Sequence, residues 1–288
     1  MRYHITHAIT YRYDRPVILA PQAIRLRPRC DVAQKLHHFS LSVTPTPDHL
    51  IETIDLDGNP VYQAWFAGDS LTKLTIEASS EVETFRDNPF AYLLEPWAVH
   101  LPIDYPLSLS DRLFPYLRGQ QSRLTGGCDP IAVQLAQEIW YKTAGDVVNF
   151  LTELTQRIYR ECGYQLRETG TAMPPGITWS KKTGSCRDYA MLFIEVCRAI
   201  GLAARFVSGY QEGDLTQTDR QLHAWAEVYL PGAGWRGYDP THGLAVANTH
   251  IALVACPTHQ NTAPVSGSLK QGTGARSDMN YKLQIEKR

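Results

Sequence analysis

The chain has no apolar run approaching the roughly 20 residues that a membrane-spanning helix needs, so no helical span is expected within it. Nor does it carry an excess of either charge. Its 28 Lys+Arg stand against 29 Asp+Glu, so neither nucleic acid nor an anionic membrane surface is expected as a partner. Cysteine is sparse: Cys30, Cys128, Cys162, Cys186, Cys197 and Cys256 lie scattered, without the close spacing of a disulfide framework. The first residues, Met1-Arg2-Tyr3-His4-Ile5-Thr6-His7, alternate where a signal peptide would be continuously apolar. The expectation is a soluble protein of the reducing cytoplasm with free thiols. Repeats and low-complexity tracts are also missing. Asp55-Leu56-Asp57-Gly58 lacks the remaining ligands of a calcium loop, and Cys256 and His259 have no second pair to complete a zinc site. No metal and no cofactor is expected.

What is there falls into stretches of different period. In residues 1–90, Tyr3, Ile5, His7, Ile9, Tyr11 and Tyr13 share one face of an alternating strand. Phe39, Leu41 and Val43 alternate in the same way, as do Leu74, Ile76, Ala78 and Val82, with the turn Asp57-Gly58-Asn59-Pro60 between them. This reads as an antiparallel, sandwich-like β domain. Residues 91–129 are punctured by prolines but rich in aromatics, which marks an ordered connector with one or two short helices rather than a disordered linker.

Helical spacing takes over from about residue 130. Ile131, Leu135 and Ile139 form one stripe, and Val147, Phe150, Leu151, Leu154 and Ile158 a second. A loop from Gly163 to Thr183 leads to a third helix, and Leu202 to Tyr210 reads as a strand. Gln211 to Gln221 is a polar loop whose charges read as a solvated connection, and its end just before His223 also suits the border of a cleft. Residues 257–288 close with Tyr281, Leu283 and Ile285 in alternation, a final strand.

The third helix carries the chemistry. Ser185 is placed as its N-cap and Asp188 as its third residue, with Gly201 as its stop. Cys186 then opens the first turn, among unpaired N–H groups at the positive end of the helix dipole, where a thiolate is favoured. A lone cysteine is more often small core filling, so the weight rests on its partners further along the chain. His223 begins Leu222-His223-Ala224-Trp225-Ala226-Glu227-Val228-Tyr229-Leu230, and Pro231-Gly232-Ala233-Gly234 turns the chain back to Tyr238-Asp239-Pro240. The even separation of His223 and Asp239 permits one face, opposite or diagonal, unless a bulge intervenes. Alone, His223 would be a strand residue and Asp239 a turn cap. Together with Cys186 they supply a nucleophile, a base and an orienting carboxylate. His37, His38 and the remaining histidines match no carboxylate pattern and read as surface or strand residues. The literal G-x-G-x-x-G of Gly232 to Gly237 turns a hairpin, so it is not a dinucleotide fingerprint.

The motifs Gly184-Ser185-Cys186-Arg187-Asp188-Tyr189-Ala190, His223-Ala224-Trp225 and Tyr238-Asp239-Pro240 resemble those of the transglutaminase-like superfamily. More closely, the chain is similar to bacterial transglutaminase-like cysteine peptidases with an N-terminal β domain. The resemblance implies an α+β protein whose papain-like core spans 130–256. It also implies Cys186 as nucleophile, His223 as base and acid, and Asp239 as orienter. The expected function is a cysteine-dependent amide or peptide hydrolase working through a thioester, on a peptide or protein substrate. Protein-glutamine acyl transfer and a non-catalytic peptide-binding scaffold are the alternatives. Family members often use an aromatic residue upstream of the cysteine as a second oxyanion donor, a role open here to Tyr164 or Trp179.

Overall fold

A computed structural model describes residues 1–119, 127–167, 170–213, 221–272 and 274–288. In chain order the β-strands are β1 (Arg2–Ile24), β2 (Gln34–Thr44), β3 (His49–Ile54), β4 (Pro60–Trp65) and β5 (Leu71–Thr84). The helices α1 (Leu107–Leu117), α2 (Pro130–Lys142) and α3 (Val147–Glu161) come after them. Next are β6 (Gly163–Tyr164), α4 (Pro175–Lys181), β7 (Thr183–Gly184) and α5 (Cys186–Ala199). The remainder is β8 (Ala204–Gln211), β9 (His223–Leu230), β10 (Gly234–Asp239), β11 (Leu244–Ala245), β12 (His250–Cys256), β13 (Val265–Gln271) and β14 (Ser277–Lys287).

The first sheet is organised by β1. Its leading half lies between β5 and β14, and its trailing half between β4 and β13, all antiparallel. The ladder shifts register between Arg12 and Val17, where Pro16 has no N–H to donate. The alternating face read from the sequence is the buried one: Tyr3, Ile5, His7 and Ile9 are all nearly inaccessible. The closing strand expected at the C-terminus is β14, and its partner is β1, with Ile5 opposite Ile285. The chain's two ends thus share one sheet.

The second sheet has the order β11-β10-β9-β8-β12 and carries α5 on one face. Helix α5 is buried on every side from Asp188 to Arg198, which explains its nearly continuous apolar sequence. Its charged residues are matched in the interior. Glu195 accepts a hydrogen bond from the Asp129 N–H, and Arg198 donates to the carbonyls of Tyr116, Arg118, Ala204 and Pro257. The aromatic connector, whose described residues include α1 and the 3-10 turn at Pro96–Ala98, is fastened to the core in this way.

The two sheets share apolar surface. Tyr3, Ile5 and Val82 of the first pack with Tyr210, Ile251, Leu253 and Val254 of the second, together with Leu283 and Ile285. Asn59, wholly buried in the turn before β4, exchanges hydrogen bonds with the Ala255 backbone of β12 at 2.9 and 3.0 Å. The stretch 163–183, read as a loop from sequence, contains α4 and the β6–β7 bridge. Pro175 opens α4 at a position where its missing N–H costs nothing.

Candidate active site

The site starts from the cap of α5. The Ser185 backbone N–H and hydroxyl both donate to Asp188 Oδ2 at 2.8 Å, so the expected cap forms, the structure adds a capping box to it, and Cys186 is the first helical residue. Asp188 does more than cap. Wholly buried, it also accepts from Arg167 Nη1 at 2.9 Å and from the Met173 N–H at 2.7 Å, which binds the preceding loop to the helix start. The parallel bridge of β6 to β7 sets Tyr164 beside Gly184, two residues before the cysteine.

The second half comes from the β9–β10 hairpin. Tyr238 pairs with Ala226 and Trp235 with Tyr229, a regular register that leaves Asp239 diagonal to His223 on one face. No bulge interrupts the ladder from Gly234 to Tyr238, and the parity read from the sequence holds. His223 Nε2 lies 2.7 Å from Asp239 Oδ2. A carboxylate only accepts, so Nε2 carries the hydrogen and Nδ1 is left for the thiol. The Cys186 thiol lines the same cavity as the His223 ring and is near enough to act on its pKa. Burial alone would lower the His223 pKa. The Asp239 carboxylate outweighs it, the Cys186 contact adds to this, and the net shift is upward. Burial would raise the Asp239 pKa, but the His223 charge and three imidazole hydrogen bonds hold it well below the usual carboxylate range. The pair is built to hold an imidazolium against a carboxylate.

Two of the three imidazoles on Asp239 were not expected. His242 Nδ1 lies 2.7 Å from Oδ2 and His250 Nε2 lies 3.0 Å from it, while Oδ1 accepts the Thr241 N–H at 2.9 Å. The expectation that the remaining histidines match no carboxylate therefore fails for these two, although His250 is a strand residue and His242 an exposed one. His242 comes one tight turn after Asp239. His250 arrives from β12, and nothing local in the sequence announces it. His250 is wholly buried in its side chain, and burial drives its pKa down. The neutral ring is fully engaged, since Nδ1 can accept from Thr249 Oγ1 at 3.1 Å while Nε2–H faces Asp239.

Cys186 and His223 open on a cavity of about 510 Å³. Its walls come from both sheets: His7, Ile9 and Tyr11 of β1 and Met279 and Tyr281 of β14 face Phe206, Ser208 and the start of α5. Tyr164 lines this cavity, and burial, with the nearby Cys186 second, raises its hydroxyl to about 12. Trp179 is absent from the lining and instead lies under Lys182 and Arg157. Of the two aromatic residues considered from sequence, Tyr164 is the one at the cavity. The loop expected to border the cleft lies for the most part outside the described residues, at 214–220, but Gln221 at its end does line the cavity. Cys197 is buried in the core, and Cys256 faces Asn59. Among the described residues His223, Asp239 and His250 bring ligand-type atoms close together, but the hydrogen bonds above already satisfy them.

Comparison with known proteins agrees with this layout. Residues 3–83 match the bacterial transglutaminase-like N-terminal region, and residues 133–240 match the transglutaminase-like superfamily. An uncharacterised protein of Mycobacterium tuberculosis is 28% identical over 280 residues, covering 92% of this chain and 87% of its own length. The protein-glutamine gamma-glutamyltransferase of Pseudomonas aeruginosa is 32% identical over 141 residues, 46% of this chain but 21% of that larger protein. A crystal structure from Cytophaga hutchinsonii, solved as a candidate cysteine protease, superposes with a TM-score of 0.70 at 20% identity. That match covers 100% of this chain and 91% of the other, and shows a common fold.

Proposed function

The chain belongs to the transglutaminase-like superfamily, and from that premise we propose that it is a cysteine-dependent acyl hydrolase acting on amide or peptide carbonyls. The observation that carries the reading is the His223–Asp239 contact of 2.7 Å directed at a cysteine on the first turn of a capped helix. In this reading His223 Nδ1 takes the Cys186 proton, and the thiolate attacks the substrate carbonyl. The oxyanion that forms meets the Cys186 backbone N–H and the Tyr164 hydroxyl, which the upward shift keeps protonated. His223 then protonates the departing amine and a thioester remains. Water, deprotonated by His223, attacks the thioester and frees the acid, restoring the thiol.

Acyl transfer to an amine is the second reading, favoured by the 141-residue likeness to the Pseudomonas enzyme. The two share every step up to the thioester. Mass spectrometry of the protein quenched in acid during turnover of glutamine- and asparagine-containing peptides should find an acyl group on Cys186. Added primary amine should leave hydrolysis the dominant product channel. A product mostly coupled to the amine would establish transfer instead, and absence of any Cys186 adduct across such peptides would speak for a binding scaffold.

A further inference from the structure

The cavity has a charge imbalance. Among the described residues its lining includes two arginines, Arg167 and Arg187, and no carboxylate. Arg167 is neutralised by Asp188. Arg187 is not: its guanidinium donates only to the carbonyls of Gly170, at 2.6 Å, and Arg167, at 2.8 Å, so its charge has no counter-ion among the described residues. Hydrogen bonds to carbonyls fix the guanidinium in place without cancelling it.

His259 supplies a second, independent oddity. It belongs to the 3-10 turn His259–Thr262, its ring packs on Phe206 at 6.1 Å, and it lines the same cavity. Both ring nitrogens are shielded from solvent and neither has a hydrogen-bond partner among the described residues. A buried polar atom without a partner costs about 1–3 kcal/mol and asks for a reason. Burial lowers the His259 pKa, and the Arg187 charge lowers it further against the pull of Asp188. The ring is therefore neutral, with one N–H to give. It stands near enough to Arg187 to feel its field.

We propose that Arg187 and His259 form an anion subsite in the cleft, so that the substrate carries a carboxylate close to the amide that Cys186 attacks. The inference rests on Cys186 being the nucleophile, and it narrows the substrate class to acidic peptides. A guanidinium and an imidazole N–H are matched to a carboxylate's two oxygens. The apolar strip from Ile9, Tyr11, Phe206 and Val265 would accept the carbon skeleton that bears it. Such a carboxylate comes either from a chain terminus or from an aspartate or glutamate side chain.

Thiol-reactive probes distinguish these two sources and need no identified substrate. N-iodoacetyl-glycine carries its carboxylate at the chain end, N-iodoacetyl-glutamate 1-amide carries it on a side chain, and the fully amidated partner of each is the neutral control. The rate of Cys186 alkylation is read by mass spectrometry as the ratio of acid to amide. For the probe of the right geometry the wild-type ratio should be about ten. It should fall to near one in Arg187→Gln, which keeps N–H donors for the two carbonyls but loses the charge, and should fall in His259→Phe, which keeps the ring volume. Both probes preferring the amide or showing a ratio near one, or a ratio that survives both substitutions, overturns the subsite. If neither acid nor amide labels Cys186 faster than the exposed Cys30, it is the nucleophile assignment that fails.

Discussion

At the scale of single residues, the unusual feature is one carboxylate serving three histidines. Asp239 accepts at both oxygens, so Asp239→Asn would place an amide N–H₂ against N–H donors whichever way it turned. We expect this variant to lose about 3 kcal/mol, roughly 6 to 12 °C in Tm, and acyl-enzyme formation on the order of a thousandfold. Differential scanning calorimetry and burst kinetics read the two effects separately. The signs of the pKa shifts set a pH profile. The upward shift of His223 adds stability that is complete below its unfolded value of about 6.5 and is lost as pH rises through the folded value. The downward shift of Asp239 adds stability that is complete above about 4 and is lost as pH falls. The downward shift of His250 likewise withdraws stability as pH falls below about 6.5. The Tm advantage of wild type over His223→Gln should therefore shrink steadily from about pH 6.5 to pH 9; an advantage that grows over that range would contradict the assignment.

At the scale of elements, α5 works because Asp188 ties its first turn to the loop before it. Asp188→Ala strands the Arg167 guanidinium and three donors from Ser185 and Met173. The expected cost is about 3–4 kcal/mol, with slower Cys186 labelling as the loop loosens, whereas Ser185→Ala should cost about 1 kcal/mol. Equal losses in the two variants, read by urea denaturation, would reduce Asp188 to an ordinary cap. Much of this element was legible in the sequence. The cap is a four-residue pattern, the helix period is local, and the parity of His223 and Asp239 comes from strand alternation across a short turn. What the sequence withheld is contact between distant segments. Neither the Asp188–Arg167 pair nor the arrival of His250 leaves a local trace, because each depends on how loops and sheets pack.

At the scale of the whole molecule, the same limit explains β14. Its alternation identified a strand, but only the folded chain shows that its partner is β1 and that the pair forms a wall of the cavity. The two sheets share a core around Ile5, Ile251, Leu253 and Ile285, so they are expected to unfold as one cooperative unit. Calorimetry should find a single transition with matching van't Hoff and calorimetric enthalpies, and Ile251→Ala should lower its Tm, costing about 2–5 kcal/mol, without splitting it. Two resolved transitions would mean that the sheets fold separately and that the cavity wall is only loosely attached.

The most direct measurement is the rate at which iodoacetamide alkylates Cys186 across pH, with Cys30 of the same protein as internal reference. With His223 as its base, Cys186 should react at least tenfold faster than Cys30, and His223→Gln should erase that lead. Equal rates for the two thiols, indifferent to His223, would contradict the whole reading.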